Sequence, residues 1–284
     1  MKRTAGVLLL VLALAGSGYA LEFSLKLKVG AAYISAGDYN DGVAGANGYY
    51  AARYANVSST FSKLGLGMDF GAELMVDITQ RLGLGLGFGY MHVSTGTDRI
   101  EYGWSFLSWT FRNQETQAVR TSAMPLTLNI HYRIPLQGLN LRVFAGAGFY
   151  LGRMEFERTF QSDFLEIGET VTFEANKNAF GFQGGLGVEI PLSGRLFLTA
   201  DIAGRYARLS DIEGYGEFTP TIFGLEQPPR TGGDYFFWYY EQTLDGTRYE
   251  RTGVGQSEPA GPSPRHGRLD LSGVSVQVGI KFNL

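Results

Sequence analysis

"LGLGLGFGY", residues 82–90, alternates a large apolar side chain with no side chain at all. Leu82, Leu84, Leu86, Phe88 and Tyr90 fall on one face of an extended strand, and Gly83, Gly85, Gly87 and Gly89 on the other. A strand of a water-soluble sheet sets polar groups opposite its apolar face. Bulk on one side and empty space on the other suits a wall with hydrocarbon outside and a crowded interior inside.

Seven further segments share the pattern. They begin at Phe23, Leu64, Leu126, Leu141, Phe180, Leu196 and Val274, and each has about the length of a tilted membrane strand, roughly 9–11 residues. The apolar faces carry no charge, which matters because Arg or Lys at the midplane of a lipid-facing strand costs roughly 2–4 kcal/mol. The opposite faces carry Lys26, Lys28, Arg133, Arg142, Arg205 and Lys281 against Asp69, Glu73, Asp77, Glu189 and Asp201. A soluble sandwich would reverse that picture, with apolar faces inward and charges in water.

The connections alternate as well. "DITQR", "PLQGLN" and "PLSGR" are short, whereas the other four links run from about 28 to 65 residues. Short turns alternating with long loops predict a closed eight-stranded antiparallel transmembrane barrel, all-β, with turns in the periplasm and loops outside. Closure leaves no unpaired strand edge in lipid. An eight-stranded cylinder is barely wide enough for its own side chains, so the inward glycines make room for groups from other strands.

Residues 1–20 read as a signal peptide: Lys2 and Arg3, an apolar run from Ala5 to Gly16, then small residues at Gly18 and Ala20. The barrel domain is then residues 21–284. The formal net charge is −3 over 284 residues and −5 without Lys2 and Arg3, which does not suggest a nucleic-acid partner. The chain has no cysteine, hence no disulfide framework and no thiolate metal site. With 40 glycines and 14% aromatic residues it is also unlike a disordered secreted chain.

The hairpin "GAELMVDITQRLGLGLGFGY", the pair "MPLTLNIHYRIPL" and "LRVFAGAGFYLG", and the closing strand "VSVQVGIKFNL" resemble the small bacterial outer-membrane barrels of the OmpA-, OmpX- and OmpW-like group over residues 21–284. The resemblance implies a bacterial outer-membrane address with both termini periplasmic. It further implies contact with outer-membrane lipid and lipopolysaccharide, and recognition of the C-terminal strand by the barrel assembly machinery. Members of the group commonly finish on an aromatic residue; here Phe282 precedes Asn283 and Leu284, and Phe282 is taken as that signal.

The candidate functional residues fall into three sets. Lys26, Lys28, Asp69, Glu73, Arg133, Arg142, Glu189, Asp201, Arg205 and Lys281 are expected to form a charge network that plugs the lumen, since buried charges must be paired. Glu73, Glu189, Arg133, Arg142 and Lys281 should meet near the periplasmic end, with Asp69 and Asp201 finding Lys28 or Arg205 higher up. His131 is expected to join the plug. Trp104, Trp109, Tyr235, Phe237, Trp238 and Tyr239 lie in the long loops as a candidate surface for an extracellular ligand, and "YEQTLDGTRYE" reads as a hairpin around Asp245-Gly246. His92 and Ser94 have the His-x-Ser spacing of rim lipid A deacylases, but Thr95 stands where that family has Asn, so no enzyme is expected. "GDYNDG" (37–42) reads as turn chemistry, not a metal loop, and no cofactor is expected. The function that follows is a monomeric structural or surface-interacting barrel with a plugged lumen. The alternative is an OmpW-like barrel transporting a small hydrophobic solute.

Overall fold

The computed structural model describes residues 21–54, 56–106, 109–164 and 166–284. The expected signal peptide therefore lies outside the described residues. The elements run β1 (Glu22–Ile34), α1 (Asp38–Arg53), β2 (Leu66–Asp77), β3 (Leu82–Ser94), β4 (Asp98–Phe106), β5 (Trp109–Leu136), β6 (Leu139–Ser162), β7 (Ile167–Pro191) and β8 (Leu196–Leu209). There follow β9 (Glu213–Ile222), β10 (Leu225–Glu226), β11 (Arg230–Leu244), β12 (Thr247–Gly255), β13 (Arg265–His266), β14 (Leu269–Asp270) and β15 (Gly273–Asn283). The fold is all-β apart from α1, and the strand pairings are antiparallel.

Eight strands are expected and fifteen are found among the described residues. The eight alternating segments lie within β1, β2, β3, β5, β6, β7, β8 and β15, except that Leu64, expected at the start of the second outward face, precedes β2 and is buried. These pair in sequence order, from Phe23↔Val76 onward, and β15 pairs back with β1 through Leu25↔Phe282 and Val29↔Val278. Their apolar side chains point away from the interior. Leu66, Leu86, Leu128, Val143, Leu198 and Val278 are all exposed, and Val188 is half-buried.

The extra strands come from the long connections. Strands β5, β6 and β7 run on well past the apolar belt, to 28, 24 and 25 residues. Beyond the belt β5 changes partner from β3 to β4, and β7 changes from β8 to β9. The one sheet thereby continues above the belt as a run ordered β4-β5-β6-β7-β9-β11-β12. The hairpin expected at Asp245-Gly246 joins β11 to β12, with Leu244 facing Thr247 and both turn residues at positive φ.

"GDYNDG" is not a turn. Residues Asp38–Arg53 form α1, with Asp38 and Asp41 in the first turn and Arg53 in the last, each placed favourably for the helix dipole. Gly42, Gly45 and Gly48 fall on one face of it and meet β12. A Cβ on Gly45 would lie 1.9 Å from the Glu250 carbonyl oxygen, and one on Gly42 would lie 2.7 Å from the Thr252 nitrogen. The glycines that make this stretch read as a loop let a helix lie directly on a strand.

The interior therefore has two layers. Between the upper strands, Ile34, Tyr39, Val43, Phe61, Met91, Val93, Val119, Met154, Phe173 and Phe237 form an apolar core. Nearer the short turns, the buried residues are charged: Lys26, Glu73, Arg142, Glu189, Asp201 and Lys281.

Candidate functional site

Each charged residue of the lower layer reaches the interior because strand parity puts it opposite an apolar outward neighbour. The ladder register sets like charges beside each other, Lys26 against Lys281 and Arg133 against Arg142. Like charges directly opposite are destabilising, so carboxylates must lie between them. Asp201 accepts hydrogen bonds from Lys26 and, at 2.7 Å, from Arg142. Glu189 lies 3.1 Å from the Lys281 ammonium, 3.6 Å from Arg133 and 3.8 Å from Arg142. Glu73 bonds His131 at 2.8 Å and Asn129 at 2.7 Å, and stands 3.8 Å from Arg142. Asp77 takes Arg133 at 2.7 Å. Arg142 is the hub: its guanidinium, 2% exposed, faces three carboxylates at once.

Room for these groups comes from the glycines of the opening stretch. A Cβ on Gly85 would lie 2.4 Å from a Glu73 carboxylate oxygen and 2.6 Å from His131 Nε2. One on Gly187 would lie 2.0 Å from Asp201 Oδ1.

Above this layer Asp69 pairs with Arg205 at 3.6 Å, as expected. Asp201 does not go to Lys28 or Arg205; it pairs lower down, with Lys26 and Arg142. Counting residues from a turn ignores the stagger of tilted strands, so equal counts on two strands are not equal heights. Lys28 lies over Gly71 and faces a cavity of about 30 Å³ shared with Asp69, Glu73, Asn129 and Arg205.

The loop set divides. Tyr235 and Phe237, expected on a ligand-facing surface, are 6% and 0% exposed and belong to the apolar core. Alternation along β11 sends them inward and Trp238 to the other face; Trp238 and Tyr239 are both half-buried. Trp238 donates to the Gly255 carbonyl and packs on His266, while Arg265 lies 4.2 Å over the Tyr239 ring. Trp104 and Trp109 lie in β4 and β5, and their side chains are outside the described residues. At the rim the His92 ring stacks on Tyr90 and Ser94 is exposed; among the described residues no hydrogen bond joins the two.

Sequence reading misses the polar groups that hold α1. The Tyr50 hydroxyl donates to Glu115 at 2.5 Å, and Arg158 Nε donates to the other Glu115 oxygen at 2.7 Å. Gln117 donates to the Tyr39 hydroxyl at 2.9 Å, and Asp38 receives both arms of Arg265. Burial pushes the Tyr39 phenol up from its ordinary value; burial and then the neighbouring Glu115 carboxylate do the same to Tyr50. The Arg251 guanidinium lies 5.1 and 5.2 Å over the rings of Tyr49 and Tyr50. The tyrosine pair in "GYYAAR" is the signal that could have found them.

Residues 6–226 match the model of a family described as outer membrane protein beta-barrel domain. Among solved structures, the chain is similar to a major outer membrane protein from Thermus thermophilus, at 11% identity and TM-score 0.42, over 94% of this chain and 100% of that one. It is similar to Neisserial surface protein A at 9% identity and TM-score 0.33, over 94% and 100%. The translocator domain of the autotransporter NalP from Neisseria meningitidis aligns at 11% identity and TM-score 0.23, over 99% and 95%. No curated protein sequence matches the chain.

Proposed function

The chain belongs to the outer membrane protein beta-barrel domain family, and from that premise we propose that it crosses the bacterial outer membrane as a closed eight-stranded barrel whose lumen is shut. Its work is then structural or done at the cell surface by the cap that α1, β4, β9, β11 and β12 build on the barrel. The eight-strand reading is supported by the circuit of pairings from β1 through β2, β3, β5, β6, β7, β8 and β15 back to β1. With the short turns in the periplasm, both ends of the circuit are periplasmic. The uncharged outer face contacts lipid and lipopolysaccharide, β15 carries the signal for the assembly machinery, and the barrel works as a monomer without catalysis at His92 or Ser94.

One observation carries the closed lumen: the Arg142 network occupies the lower layer of the interior, and the apolar core around α1 packs over it. The cavity beside Lys28, about 30 Å³, has room for about two waters. The test is conductance of the purified protein in a planar bilayer. Rare, small openings are expected. Large, steady single-channel currents would overturn the plug and promote the transport reading.

A further inference from the structure

A second cavity, of about 170 Å³, lies in the cap between α1, the inner face of β5 and β6, and the β11–β12 hairpin. Its lining includes Gln117, Arg158, Trp238, Tyr240 and Arg251, and its rim includes Ser257, which is exposed, so the cavity communicates with solvent. Two guanidinium groups enter one small space. Glu115 also lines it, but both of its oxygens are taken, by Tyr50 and Arg158.

Neither arginine is saturated. Arg158 uses Nε on Glu115, with Glu169 4.0 Å from one terminal nitrogen. Arg251 gives one terminal nitrogen to Gln242 at 3.1 Å, and its Nε is buried with no partner. Among the described residues, the second terminal nitrogen of each has no hydrogen-bond partner. Arg251 is also held in place, stacked over Tyr49 and Tyr50, so an anion would meet a pre-positioned donor. Planar guanidinium pairs match carboxylates in two-pronged fashion. Trp238 and Tyr240 line the same cavity beside Val43, Ala46 and Thr252, and aromatic walls suit a ring. A cavity of ~150 Å³ holds a benzene ring.

We propose that this cavity binds a small carboxylate carried on a ring, with Arg158 and Arg251 taking the carboxylate and Trp238 and Tyr240 the ring. The inference rests on the surface-interaction reading above and names the ligand chemistry of that surface. Ring carboxylates come as sugar acids and as aromatic acids, and one experiment separates them. The detergent-solubilised full-length protein is titrated calorimetrically with glucuronate, benzoate, their neutral counterparts glucose and benzyl alcohol, and inorganic sulfate. Saturable one-to-one binding of glucuronate or benzoate is expected, with the neutral pair silent and sulfate at least tenfold weaker. Arg251→Gln should weaken binding tenfold or more, the loss expected for a charged hydrogen bond.

Silence from both acids, equal binding by a neutral counterpart, sulfate binding as tightly as the acids, or an unchanged Arg251→Gln would each overturn the assignment. If Arg251→Gln does not fold, the readout becomes ligand quenching of tryptophan fluorescence. That quenching should be present in the unmutated protein and lost in Trp238→Phe; quenching that survives Trp238→Phe overturns the proposal. A barrel that conducts strongly yet binds glucuronate sinks the closed lumen alone. A tight barrel that binds neither acid sinks this proposal alone.

Discussion

Glu73 shows how much depends on one side chain in the lower layer. It answers His131, Asn129 and Arg142 together and is 3% exposed. Glu73→Ala leaves Arg142 and His131 short of a partner, and a loss of about 3–5 kcal/mol is expected in urea unfolding followed in detergent. The exposed pair of Arg99 and Glu101 is the control, and breaking it should cost less than about 1 kcal/mol. Gly85→Val should prevent assembly of the heat-modifiable form on gels, because its Cβ alone would collide with Glu73 and His131. Leu86→Val next to it should be tolerated. The phenols of Tyr39, Tyr50 and Tyr102 are pushed up chiefly by burial, so their protonated forms are favoured in the folded cap. A raised folded pKa means a contribution that is full below the ordinary value near 10 and lost as pH rises beyond it. Tyrosinate absorbance should therefore appear late, and together with loosening of α1 to protease.

The elements explain what is legible in sequence and what is not. Below the rim, alternation is readable because lipid outside and packed charge inside give each strand face a distinct chemistry. Strand β6 keeps its parity past Leu151, but the chemistry inverts: Arg153, Glu155 and Glu157 point outward while Met154 and Phe156 are buried. Strand β7 does the same, with Glu174 and Asn176 out and Phe173 and Ala175 in. The outside has changed from hydrocarbon to water while the inside has become an apolar core. A search for outward apolar residues stops at that crossing, so the upper halves read as loops. Helix α1 is hidden for another reason, since its decisive face is glycine and carries no periodic apolar signal. Gly45→Ala should raise helix propensity by up to about 1 kcal/mol yet free the segment, because the added carbon has no space against Glu250. Limited proteolysis across residues 38–53 reads the outcome. At Gly48 the same change meets only the edge of the Tyr249 ring at 3.3 Å and should be mild.

At the scale of the whole molecule, the charged layer and the apolar core lie in series. Replacing residues 38–53 by a short linker opens the upper one, taking out Tyr39 and Val43, and leaves the Arg142 network in place. The bilayer conductance of that variant is expected to stay low even as its cap becomes protease-sensitive. A jump to large currents would mean that the charged layer alone does not seal the barrel. The upper run of the sheet ends on two edge strands. One, β4, is met by Ser58, which exchanges backbone hydrogen bonds with Glu101, and the other, β12, lies under the glycine face of α1. Each edge is thus covered over part of its length, where a bare one would be a template for a passing strand.

The glycine face also sets a timetable. Gly45 meets Glu250, and Val29 meets Val278, so the first strand of the ring and the helix that follows it both wait on residues more than two hundred positions later. Until those arrive, β1 has one bare side and α1 lacks the strand on which its glycine face lies. Contacts so distant in sequence form slowly, and the exposed intermediate is the aggregation-prone one. A chain halted after β8 would therefore hold most of its ring pairings and still lack both its seam and its lid, which makes the last quarter of the chain the stretch where escorting factors matter most.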